Sequence, residues 1–280
     1  MCPTKKITNL SFDEHFFGPQ VSAFIQPVRM HFHRLNAADE LIKQSWDISL
    51  QQDSVAVLLY HTSRKQIILV KQFRPAVFVQ RIRTKPENRD KLLSGIEWAK
   101  YPKELGDTLE LCAGLMDKKG KSPVETIRDE ILEECGYTVE LERIQLIQKY
   151  VISVGISSAS EHLFYCEVDE SMKLIKGGGL ANEGEEIEKV FLDILEAVKM
   201  VADGHFSSGG ISCPPSLFYA ISWFLHRGHL SNNVANKSIP KKGQAKLVRR
   251  KIGAKKSSFK KATGAEKKSF SKKWTPPLAP

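Results

Sequence analysis

Residues 122–136 read SPVETIRDEILEECG and space Glu130, Glu133 and Glu134 so that a helix carries all three on one face. Like charges at that spacing repel by about 0.2–0.5 kcal/mol a pair. Clustered carboxylates are also the hard oxygen ligands that Mg²⁺ and Mn²⁺ prefer. The chemistry this predicts is metal-assisted hydrolysis; on spacing alone, a solvated acidic face fits as well. Both helix ends are marked. Ser122 can cap, Pro123 suits the first helical position, Glu125 completes a capping box, and Gly136 supplies the stop. Val124, Ile127, Ile131 and Cys135 form the opposite, apolar stripe, so the helix is expected to dock on a core with its acids outward.

Other segments must position that helix. Ahead of it, LELCAGLMDKKGK gives an alternating strand over residues 108–112 and a turn around Gly114 and Gly120. Residues 54–73 are very apolar and split at 61–66 into two strands, the second ending in QFRPAV, residues 72–77. The planar fork of Arg74 suits phosphate oxygens, or a surface acid. GGGLANEGEEIEKV, residues 177–190, joins a glycine hinge to four acids, as a closing lid would. Residues 20–50 alternate as two strands that turn at 36–40, with His31 and His33 on one strand face; surface or packing histidines explain that pair better than a metal site does. Residues 81–106 read as an exposed insertion. Strands recur near 144–154, 162–168 and 187–192, and helices near 195–201 and 217–226.

Strand, glycine loop and acidic helix together resemble the Nudix box, G-x5-E-x7-R-E-U-x-E-E-x-G-U, where U is bulky and apolar. Residues 129–137, DEILEECGY, match every fixed position but the first, where Asp129 replaces the arginine. The loop from Gly114 is one residue longer than the pattern, and Lys121 stands where its glutamate belongs when counted back from the helix. In the family the arginine orients a helix glutamate, which an aspartate would repel. KQSWD, LVKQFRPAV, LELCAGL, EECGY, GGGL and SLFYAISWFL follow one another as in the UDP-sugar pyrophosphatases of animals, so the resemblance spans most of residues 40–227.

That resemblance implies an α+β fold, an α/β/α sandwich, over residues 51–230. Residues 1–50 become a β appendage that reaches a second subunit of a homodimer; residues 231–280, by their own composition of lysine pairs, Ser and too few apolar residues to build a core, are expected to be a disordered Lys-rich tail. The resemblance implies Mg²⁺-dependent hydrolysis of UDP-glucose to UMP and glucose 1-phosphate, Mn²⁺ serving as a substitute. Glu130, Glu133, Glu134 and the Ala113 carbonyl would hold metal, with Glu185 as an outer ligand. Glu183 would be the base, Arg74 would bind the diphosphate, and Trp46 would stack on the nucleotide base. Competing readings are an ADP-ribose or ADP-sugar pyrophosphatase, a noncatalytic nucleotide-sugar sensor in keeping with Asp129, and an adaptor driven by the tail.

Composition agrees. The five cysteines are odd in number and scattered, with neither a C-x-x-C pair nor zinc spacing, which points to reduced thiols. There is no signal-like start and no run of about 18 apolar residues, so a cytoplasmic protein is expected. The net charge of +10 is uneven: residues 231–280 hold 15 Lys and Arg against the single Glu266, leaving 27 bases and 31 acids before them, hence −4 and +14. Such a tail suits an anionic membrane surface, nucleic acid or nuclear import.

Overall fold

A computed structural model describes residues 7–13, 15–18, 22, 24–180, 184–206 and 210–235. The expectations of a disordered tail and of its partners fall, from residue 236 on, outside the described residues. Two sheets organise the rest. β1 (Ile7–Asp13), β2 (Ile25–Leu35) and β3 (Leu41–Gln51) form a three-stranded antiparallel sheet, with the turn at 36–40 as expected. β4 (Ser54–His61), β5 (Gln66–Phe73), β6 (Asp107–Glu110), β7 (Cys112–Leu115), β8 (Gln145–Val151), β9 (Ser160–Val168) and β10 (Glu188–Asp193) form the second. Its main path runs β10-β5-β4-β9-β8, with β6 on β5 and β7 on β4.

β4 is the central strand, and its composition shows why. Successive side chains of a strand point to opposite faces, and in β4 both faces are apolar. Val55, Val57 and Leu59 pack under Ile127 and Ile131 of the acidic helix, α2 (Pro123–Glu130), and the turn that follows it. Ala56 and Leu58 pack with Ala197 of α3 (Ile194–Asp203) and with Leu217, Ala220 and Ile221 of α4 (Pro215–Ala235). Helices therefore cover both faces, the expected α/β/α sandwich. The start of β4 pairs with β7 on one side and, in parallel, with the start of β9 on the other, Ala56 facing Ala113 and Leu163. That register gathers segments distant in sequence at one end of the sheet.

Three expectations need correction. Residues 81–106 are not simply an exposed insertion: Pro75 opens α1 (Pro75–Arg83), and Ile82, Asn88 and Ile96 are buried. Asn88 Nδ2 donates to the Ile82 carbonyl at 3.1 Å and to Tyr101 Oη at 2.8 Å, which ties the segment down. The strand expected over 108–112 is two short strands meeting at Leu111, because the chain passes there from the edge of β5 to β4. α4 continues to Ala235, past the boundary expected at residue 230. Among the described residues no helix is long and apolar enough to cross a membrane.

Candidate active site

The capping box forms as its residues predict. Ser122 N–H donates to Glu125 Oε2 at 2.8 Å, and Glu125 N–H donates to Ser122 Oγ at 3.4 Å. α2 then passes into a π-helical turn, Ile131–Cys135, that ends on Gly136 at φ +82°, a conformation glycine adopts without steric cost. The acids do not point outward as expected. Glu134, within the π turn, is only 3% exposed, and its Oε2 accepts the Ala113 N–H of β7 at 3.1 Å. Glu130 packs against bare backbone: a Cβ on Gly114 would stand 2.3 Å from its carboxyl carbon.

Crowding carboxylates into a half-dry corner changes their acidity. Burial first, then the charge of Glu133, pushes Glu130 up to about 7. Burial pushes Glu134 up to about 8 despite its hydrogen bonds with Cys112 and Ala113, the charge of Glu130 adding to the effect. Glu133 meets Lys118 Nζ at 3.4 Å.

The glycine run closes on the end of this helix. Gly178 N–H donates to the Glu134 carbonyl at 2.9 Å and Gly179 N–H to that of Glu133 at 3.1 Å. Gly177 sits at φ +71°, where a Cβ would come within 2.6 Å of the Glu134 oxygen. Lys189 Nζ, from β10, donates to the Cys135 carbonyl at 2.7 Å and to that of Lys176 at 2.5 Å, stapling the loop's start to the helix end. Glu185 returns beneath the loop, its Oε2 accepting Leu180 N–H at 2.9 Å. Glu183, the expected base, lies outside the described residues.

A cleft of about 780 Å³ opens at this end of the sheet, and Glu130, Glu133, Glu134, Glu185, Ala113 and Arg74 all line it. Arg74 is clasped by Glu110, Nε to Oε1 at 2.9 Å and Nη2 to Oε2 at 2.7 Å. Burial alone would raise Glu110; the bonds and charge of Arg74 hold it below the usual carboxylate range. Trp46 is not brought to the cleft. It lies exposed on β3, its Nε1 donating to the Gly155 carbonyl at 3.1 Å. His31 Nδ1 is bonded to Ser45 Oγ at 2.8 Å, a packing role.

Sequence reasoning missed Glu110, Lys118 and Glu161, all in the lining. Glu110 had a signal, since it alternates between Leu109 and Leu111, both buried. Glu161, which accepts a hydrogen bond from Tyr150 Oη, had none; only the pairing of Ser54 with Glu161 across β4 and β9 brings it to the cleft.

No protein-family profile matches the chain. Uridine diphosphate glucose pyrophosphatase NUDT14 of Bos taurus is 35% identical over 212 residues, covering 73% of this chain and 89% of that protein. The chain belongs to the Nudix hydrolases. GDP-mannose pyrophosphatase of Pectobacterium atrosepticum is 32% identical over 170 residues, 60% of this chain and 74% of that relative. The crystal structure of an ADP compounds hydrolase shares the Nudix fold, with a TM-score of 0.51 at 14% identity, covering 82% of this chain and 95% of that one.

Within the Nudix box, Asp129 does not confront the glutamates. Its carboxylate is held by Lys121 and by Arg128, the latter at 3.0 Å. The Nudix carboxylates suit a hard divalent ion in kind, since buried oxygens with raised pKa values gain most from a nearby cation. As placed, no three His, Cys, Asp or Glu side chains among the described residues converge on one point; Lys118 engages Glu133, and the Ala113 N–H engages Glu134.

Proposed function

We propose that this Nudix hydrolase splits the diphosphate of UDP-glucose, giving UMP and glucose 1-phosphate, with Mg²⁺ as its cofactor and Mn²⁺ as a substitute. The observation that carries the reading is the concentration of Glu130, Glu133, Glu134 and Glu185 on one cleft that also holds Arg74. The name and coverage of the Bos taurus relative support the substrate.

In this reading Glu130, Glu133 and Glu134, with the Ala113 carbonyl, would hold Mg²⁺, with Glu185 as an outer ligand. Bound there, the ion would offset the negative charge of the diphosphate and of the leaving phosphate. Arg74 has five N–H donors, of which Glu110 takes two, so three remain for phosphate oxygens. The clasp fixes the plane of the guanidinium before substrate arrives, which reduces the entropy lost on binding. Glu183 takes the proton of the attacking water.

Trp46 lies outside its own cleft, and Ile25, Leu41 and Leu50 of the same sheet are also exposed. These residues support a homodimer in which Trp46 of one subunit serves the nucleotide base in the other. A cytoplasmic location, with reversible tethering of the tail to an anionic membrane surface, completes the proposal.

Incubation with Mg²⁺ and UDP-glucose, GDP-mannose or ADP-ribose, followed by separation of products, tests it. UMP and glucose 1-phosphate should form fastest. Faster cleavage of GDP-mannose or ADP-ribose would reassign the substrate, and tight binding of UDP-glucose without UMP would mark a sensor.

A further inference from the structure

Lys121 and Asp129 are eight residues apart, the separation of glutamate and arginine in the Nudix pattern, with the charges exchanged. Asp129 Oδ2 accepts from Lys121 Nζ, while Oδ1 accepts from Arg128 Nε and Nη2 at 3.2 and 3.0 Å. Both oxygens are engaged, so the charge is compensated before it acts on Glu130 beside it or Glu133 one turn on. The side chains are 36% and 19% exposed, which leaves the pair only partly screened by water. The contact also has a mechanical consequence. Lys121 lies on the loop that follows β7, the strand whose Gly114 gives Glu130 bare backbone to pack on, and the same loop carries Lys118, which reaches Glu133. Tying Lys121 to α2 holds the loop against the helix whose last residue is Glu130 and whose following turn bears Glu133.

We propose that Lys121 and Asp129 are positioning residues, an ion pair of reversed polarity that sets Glu130 and Glu133 for a divalent cation. Asp129 is then the helix half of a charge-exchanged pair and not the mark of a site that has lost its function. The inference rests on the hydrolase reading for its link to turnover, but not for its link to metal.

The test compares the parent chain with Lys121→Glu, Asp129→Arg and the double variant. Mn²⁺ affinity is read by electron paramagnetic resonance, kcat and KM with UDP-glucose, and folding by circular dichroism. Each single substitution should weaken Mn²⁺ binding and lower kcat by about tenfold or more, with a smaller change in KM. The double variant should recover both to within about threefold. If a single variant fails to fold, Asp129→Asn, which keeps the shape and removes the charge, should still weaken Mn²⁺ binding by about threefold or more. A double variant no better than the worse single, single variants with parental Mn²⁺ affinity, or a parent that binds no Mn²⁺ would overturn the proposal. Charge-exchange recovery of Mn²⁺ affinity in a parent that leaves UDP-glucose intact would uphold the pair and refute the substrate.

Discussion

Glu134 combines 3% exposure with a single backbone N–H on Oε2, and burial there makes its ionised form unfavourable. A carboxyl whose folded pKa is raised contributes stability that is fully present below its ordinary pKa. That contribution is lost as pH rises through about 7 for Glu130 and about 8 for Glu134, where the fold must keep buried charge. In EDTA, therefore, Tm should fall between pH 5 and pH 8. Added Mg²⁺ should raise Tm more at pH 8 than at pH 6, because binding requires ionised carboxylates. Differential scanning fluorimetry checks this, and an equal Mg²⁺ shift at both pH values would contradict it. Glu134→Gln should lower turnover at least about 100-fold if, as proposed, Glu134 is a metal ligand and not only a supporting contact. Its circular dichroism should match the parent, and its metal-free Tm at pH 8 should be no lower.

At the scale of elements, two ends of one helix do different work. The capping box at Ser122 contributes no side chain to the lining of the cleft, so Ser122→Ala should cost about 1 kcal/mol, or about 2–4 °C in Tm, and leave kcat nearly unchanged. Gly177 lies against the other end, at φ +71° and with no room for a Cβ beside the Glu134 carbonyl. Gly177→Ala should cost about 1–3 kcal/mol. It should also depress kcat, because the strain would lift the segment that bears Glu185. Thermal melts beside initial rates separate the two, and equal losses of kcat in both variants would sink the distinction.

Charge divides the whole molecule into residues 1–230 at −4 and residues 231–280 at +14. Basic residues gain about 1 kcal/mol each near an anionic bilayer, and salt shortens the range of that attraction. The chain should therefore sediment with anionic vesicles at low salt and release at high salt, whereas a chain ended after Asn236 should stay in solution at both. Identical behaviour of the two chains would remove the tether. The truncated chain should keep its turnover, because every described lining residue of the cleft precedes residue 217.

Local rules carried far in this sequence. The Ser122 cap, the Gly136 stop, the apolar stripe of the acidic helix and the two strands split at 61–66 depend on neighbours within a few residues, so periodicity and turn chemistry were enough to find them. The same rules misplaced what distant chain segments decide. α1 was hidden because Pro75 reads as the end of a strand until its packing is seen, and the acid face looked solvated until β7 came to cover Glu134. The sequence by itself determined the family, the acidic helix and the partition of charge, all properties of near neighbours or of composition. Only the tertiary structure decided that Glu110 and Glu161 share the cleft, that Trp46 does not, and that Lys121 meets Asp129. Those outcomes depend on strand register and loop closure, which bring together groups that no local spacing relates.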